Sequence, residues 1–303
     1  MRNEAIAAVA PHISLDLLEQ HEATARSMWV ITMRRLRRSK TAMVGLTIVL
    51  LLFLVAALAD VLSPFSPTQT TPNSLSVPTW LNLMGTDLLG RDVLSRVMHG
   101  SRVSVEVGVV SILLAIFIGL PLGLMAGFYG GRIDQIIMRC MDVILAFPII
   151  LLAIVIMVIL EPSTWNVVLA LGIVRIPILA RLVRSSVLSV KENEYIEAVK
   201  ALALSQVRVL GRHVLPNCLA PIIVISTLNV GNAIIIEATL SFLGLGTQPP
   251  TPTWGWDLKQ NLTLIEINPW ITIFPGLAIL VAVLAFNLLG DGLRDALDPR
   301  LKA

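Results

Sequence analysis

Five stretches of this chain carry no charged residue and are as long as a bilayer crossing, or nearly so: Thr41–Ala59, Val107–Gly131, Val143–Leu160, Val214–Ile236 and Ile267–Gly290. A sixth, Pro162–Ala180, is interrupted only by Arg175. A hydrocarbon core of about 30 Å takes around 20 apolar residues wound as a helix. Helices also satisfy every backbone group inside the segment, which lipid demands. The expectation is therefore an all-α polytopic membrane protein with six transmembrane helices. Composition agrees: 14% of residues are charged and 55% hydrophobic, against about 25% charged in soluble domains. An outer-membrane barrel needs alternating segments of about ten residues, and the sequence has none. A net charge of +3 is no nucleic-acid footprint. Cys140 and Cys218, at the edges of apolar runs, read as small apolar filler rather than a disulfide or metal pair.

Orientation follows from Lys and Arg in the loops. With the amino terminus inside, 18 such residues fall on the inner side, among them Arg34, Arg35, Arg37, Arg38 and Lys40. Only four, Arg91, Arg96, Arg102 and Lys259, fall outside. Both termini are thus expected in the cytoplasm. Ala57-Leu58-Ala59 resembles a small-residue cleavage site, but some 40 residues precede the apolar run, so an uncleaved anchor is expected. The resulting division is a cytoplasmic segment 1–40 with an amphipathic helix over Ile13–Arg38, a first span 41–63 and an external loop 64–100. A five-helix core 101–292 follows, containing a cytoplasmic loop 189–213 and an external loop 247–268, and then a cytoplasmic tail 293–303.

Several chemistries are excluded by inspection. There is no Walker A loop and no H-E-x-x-H motif. The four histidines, His12, His21, His99 and His213, lie outside the expected spans, which argues against an intramembrane protease. An ion-coupled secondary transporter, the alternative from another class, would carry acids or histidines near mid-bilayer. Here Asp60, Glu106 and Glu237 fall near span ends. Arg175 is the mid-span charge, with Pro177 two residues on. Two roles are open to it: facing a translocation path and attracting a substrate carboxylate, or packing against a partner subunit or backbone carbonyls. Arg175 and Glu237 are the candidates for a substrate pathway.

The inner loop running from Lys191 to Asn217 is rich in Ala, Leu and long charged residues, so it favours a helix that is amphipathic rather than apolar. Tyr195, Val199, Leu202 and Gln206 fall along one stripe. A short helix tied to a span at each end is suited to passing motion from a soluble partner into the membrane.

Glu194-Tyr-Ile-Glu-Ala-Val199, continuing to Arg212-His-Val-Leu-Pro-Asn217, resembles the EAA loop of ABC-importer permeases, and in particular the C-type permeases of the dipeptide, oligopeptide and nickel group. Three further stretches resemble the same group: Gly85–Arg96 with Gly100, Arg102 and Ser104; Glu237–Gly246 running into Gln248–Gly255; and Asn287–Leu301. The sequence departs from that pattern at Val199, third in the Glu-Ala-Ala triplet, and at Ala203, where a glycine is usual.

The resemblance implies a type I importer fold in the bacterial inner membrane. It implies a paralogous permease as heterodimer partner, two cytoplasmic ATPases and an external solute-binding protein. The chain itself would be non-catalytic and bind no cofactor, with ATP and Mg held by the ATPases. Glu194, Tyr195, Glu197, Ala198, Leu202, Ala203, Leu204 and Ser205 would dock in an ATPase groove. Trp254, Gly255 and Trp256, following three prolines, would meet the binding protein or anchor at the interface, since Trp suits both. Asp87, Arg91, Asp92 and Arg96 are expected to close an ion-pair network that folds the first external loop. Peptide is the implied cargo, with nickel chelate, glutathione and murein peptide as alternatives.

Overall fold

The computed structural model describes residues 33–201 and 205–297. The surface helix expected over 13–38 and the tail beyond 297 therefore fall largely outside the described residues, as do Leu202, Ala203 and Leu204. Among the described residues the chain is helical and lacks strands, apart from an isolated bridge between Thr86 and Asp92.

Helix α1 (Lys40–Ala57) begins at Ser39, whose hydroxyl accepts from the Ala42 N–H at 3.3 Å, an N-cap. A single turn, α2 (Ala59–Leu62), follows. Helix α3 (Val93–Tyr129) is capped by Asp92, which accepts from the Ser95 N–H at 2.8 Å. It starts well before the expected span and takes up the last residues of the loop assigned to 64–100. The reason is a stripe of small residues at every third or fourth position: Gly100, Ser104, Gly108, Ser111, Ala115, Gly119, Gly123 and Gly127, all buried. Such a stripe lets helix backbones approach closely in a membrane. A Cβ on Gly123 would lie 2.5 Å from the Ala180 carbonyl oxygen and 2.6 Å from Val183 Cβ.

The third expected span is corrected. Val143–Leu160 is not one helix: α4 (Gly131–Leu145) and α5 (Ile149–Leu160) meet at a bend of 84°. Pro148 stands at the break, where it removes an N–H donor and disfavours helical backbone at Phe147. Helix α4 carries Arg132, Asp134, Arg139 and Asp142, and two of its acids pair with α6. Arg184 donates to Asp134 at 2.5 and 2.6 Å, and Arg181 pairs with Asp142. Among the described residues, five helices are long and apolar enough to cross a bilayer, or six if the bent pair counts as one span.

Helices α6 (Thr164–Lys191), α9 (Leu215–Leu243) and α11 (Trp270–Leu297) complete the bundle. The α3 seam faces α6 at its Gly119–Gly127 end, and at Gly108 it faces Val230 and Ile234 of α9. Helix α11 packs between α9 and α1, with Gly45 against the Ala285–Leu289 backbone and Gly292 against Ala42. The four long helices each contain a proline, Pro121, Pro177, Pro221 and Pro275, which transmembrane helices tolerate when neighbours satisfy the freed carbonyl.

Between α6 and α9 lie α7 (Glu194–Ala201), α8 (Gln206–Val209) and a π-helical turn, Leu210–Val214. At the other end of the bundle, between α9 and α11, lies α10 (Trp254–Asn261).

Candidate functional site

At the α7 end, Lys191 closes α6 by donating to the carbonyls of Gly127 and Phe128, at 3.2 and 2.7 Å. Those carbonyls belong to the last turn of α3, which leaves them without helical partners and favours a cation there. One chain reversal later comes α7. Its Ile196 and Val199 are buried in a cluster with Val183 and Val187 of α6, and with Val209, Val214, Cys218 and Ile222 on the far side. Tyr195 donates its hydroxyl to the His213 carbonyl at 3.3 Å and receives the Asn217 side-chain N–H at 3.1 Å. Burial pushes the Tyr195 hydroxyl above its ordinary pKa. Asn217 also donates to the His213 carbonyl, at 2.7 Å. The π-turn is thus held by the tyrosine of α7, and π-turns often sit at functional places in helices.

Tyr195 and Val199 of the expected stripe therefore point inward, whereas Gln206 is exposed. The departure at Val199 is a buried packing position. Glu194 is exposed, and Glu197 and Ala198 lie in the same helix. Ser205 precedes α8 and its carbonyl accepts from Val209 at 3.0 Å.

Near the middle of the bundle, Arg175 of α6 is buried and donates from Nη1 to Asn229 Oδ1 of α9 at 2.8 Å. Glu237, two turns further along α9, has no exposed surface. Its two oxygens accept from Ser104 at 3.1 Å and Ser241 at 2.8 Å. Both candidate pathway residues thus join α9 to a neighbouring helix. For Glu237 that neighbour is α3, through Ser104, while Ser241 of α9 itself bonds the other oxygen.

At the α10 end, Trp254 is 1% exposed. Its indole lies over Gly100, and its Nε1 donates to the Val97 carbonyl at 2.9 Å. The aromatic tip expected from the Pro-rich run is therefore a plug, with Gly255 pressed on the Ala238 backbone. Trp256 is half-buried, with the Lys259 ammonium 4.9 Å from its ring centroid.

The acidic and basic cluster of the first loop is present but not self-contained. Asp87 accepts from Arg91 Nε at 2.6 Å, and Asp92 accepts from Asn82 and Ser95. Arg91 also donates to Gln260 at 2.9 Å. Arg96 keeps an ion pair with Asp87 at 3.9 Å but pairs chiefly with Asp257 of α10, and it reaches the Pro67 carbonyl at 3.2 Å. Burial raises the Asp257 carboxyl while Arg96 pulls it down. Asp257 and Gln260 were missed because no spacing rule links residues 161 and 169 positions apart.

The same signatures recur in known proteins. Residues 119–303 match the family model described as binding-protein-dependent transport system inner membrane component, and residues 27–78 match the N-terminal transmembrane domain of oligopeptide transport permease C. The dipeptide transport system permease protein DppC of Alkalihalophilus pseudofirmus is 46% identical over 94% of this chain and 94% of its own length. That of Haemophilus influenzae is 44% identical over 88% and 92%. The glutathione transport system permease protein GsiD of Pectobacterium atrosepticum is 43% identical over 93% and 94%. An inward-facing structure of the MetNI methionine ABC transporter superposes with a TM-score of 0.56 at 18% identity, covering 67% of this chain and 96% of the other. That is the type I importer fold. With one of its models matching most of the sequence and near-full-length relatives above 40% identity, the chain belongs to the binding-protein-dependent transport system inner membrane components, among the C-type permeases of dipeptide and oligopeptide importers.

Proposed function

We propose that this chain forms, with a paralogous permease, the channel through which a short peptide crosses the cytoplasmic membrane, driven by ATP hydrolysed on two partner subunits. The chain itself holds no nucleotide; ATP and Mg sit on the partners. A solute-binding protein outside delivers the peptide, and the Lys and Arg bias puts both termini inside. The relatives named for dipeptide and glutathione transport support a peptide cargo, glutathione itself being a short peptide.

The observation that carries the mechanism is the fixing of α7 at its approach and along its inner face. Lys191 ties its approach to α3, and Tyr195, Ile196 and Val199 tie its inner face to α6 and α9. A push delivered to such a helix is passed to three spans together. Glu197→Lys reverses a charge on the segment proposed to dock in the ATPase, which costs roughly 2–5 kcal/mol at a partly buried interface. The permease is expected to insert normally, release its ATPases in detergent and lose transport while ATP hydrolysis continues. A variant that keeps its ATPases and transports at the normal rate sinks the proposed coupling.

A further inference from the structure

Arg175 sits close to the middle of α6, and Asn229 is midway along α9. A charge at that depth is retained where it faces protein or a watery path, and it commonly marks where substrate passes. Among the described residues Arg175 has no acidic partner. Glu237, two turns along α9 from Asn229, has each oxygen hydrogen-bonded to a serine. A guanidinium offers five N–H donors in a planar fork that fits a carboxylate. Here it meets a neutral amide oxygen, Asn229 Oδ1.

That contact also orients Asn229. With its oxygen turned to Arg175, its remaining side-chain group is an N–H donor. Ser226 lies one turn along the same face of α9. It is buried, and its hydroxyl has no partner among the described residues. On α9, then, an amide N–H at Asn229 and a spare hydroxyl at Ser226 lie one turn apart, and Asn229 is bonded to a guanidinium from α6 that has no acidic partner among the described residues.

We propose that Arg175, Asn229 and Ser226 form a carboxylate-binding subsite at the middle of the membrane, which holds a carboxylate of the peptide in transit. The subsite rests on the peptide-permease reading above. It gives the channel a preference of its own, separate from that of the binding protein.

The test uses the complete transporter in proteoliposomes with its binding protein. Uptake of L-alanyl-L-alanine is compared with uptake of its C-terminal amide, each at concentrations that saturate the binding protein. Any preference of the binding protein then enters wild type and variants alike and cancels. Arg175→Gln should lower the acid-to-amide ratio about tenfold or more, the size of a charge-assisted hydrogen bond. Asn229→Asp should do the same, because it sets a carboxylate against Arg175 while leaving the volume unchanged. Arg175→Lys should keep part of the preference. In all three, ATP hydrolysis stimulated by the loaded binding protein should persist. An unchanged ratio in the assembled variants overturns the subsite alone. Dissociation of the complex in both Arg175→Gln and Asn229→Asp also overturns it, in favour of a packing role. A wild-type transporter that carries no dipeptide overturns the peptide reading, and the subsite with it.

Discussion

Replacing Arg96 by Met tests whether the pairing of α3 with α10 holds that end of the bundle together. The Arg96 and Asp257 side chains are 3% and 4% exposed. Removing the cation strands a carboxylate in the interior, and breaking a buried pair from one side costs about 3–5 kcal/mol. The Arg181–Asp142 pair, at 49% and 47% exposure, is worth roughly 0–1 kcal/mol by contrast, so Arg181→Met serves as the control. At about 2–4 °C per kcal/mol for larger single domains, Arg96→Met should melt roughly 6–20 °C below wild type in detergent. The loss should also depend on pH. Without Arg96, burial acts less opposed and lifts the folded-state carboxyl of Asp257 further above its unfolded value of about 3.9. A group whose folded pKa is raised gives stability that is present at low pH and lost as pH climbs through the folded value. The gap to wild type should therefore widen as pH rises above the unfolded value of about 3.9. In the double variant Arg96→Met/Asp257→Leu neither charge remains, and most of the loss should be recovered. Melting of Arg96→Met within roughly 2 °C of wild type, or a double variant as weak as both singles summed, refutes the argument.

Two further outcomes are expected. Gly123→Leu should separate α3 from α6, because its Cβ meets a backbone carbonyl that no rotamer change can move. Overpacking of this kind costs about 1–3 kcal/mol or more, read as a lower melting temperature, whereas Gly276→Ala on α11, with open space at its Cβ, should be close to neutral. Reporter fusions at Asn73, Glu161 and Gln260 should read as external, and those at Ile133 and Asn193 as internal; an internal reading at Asn73 reverses the orientation.

The long apolar helices were legible because span length and absence of charge are local properties that lipid enforces. The start of α3 was not, since Arg96, His99, Arg102 and Glu106 make its first four turns read as loop. The small-residue stripe from Gly100 onward was the available signal, and it needs a helical period rather than a hydropathy window to be seen. Phe147-Pro148 likewise announced the break between α4 and α5. A window average conceals a single proline. At the site, the α7 helix and the inward turn of Tyr195 and Val199 were readable from the sequence, but the burial of Ile196 was not, because it depends on residues from both flanking spans. Trp254 looked like an exposed tip because nothing in its own loop shows that Gly100, far back in the chain, leaves room for an indole.

Helix α3 contains 37 residues, and at 1.5 Å per residue it is a rod of about 55 Å. Lys191 grips one end through the Gly127 and Phe128 carbonyls, and Trp254 and Asp257 grip the other through Val97 and Arg96. A tilt of roughly 10° about either grip swings the opposite end by about 10 Å, with no loop between to absorb it. Displacement on one face of the membrane therefore reaches the other geared by length alone, much as an oar works in its rowlock.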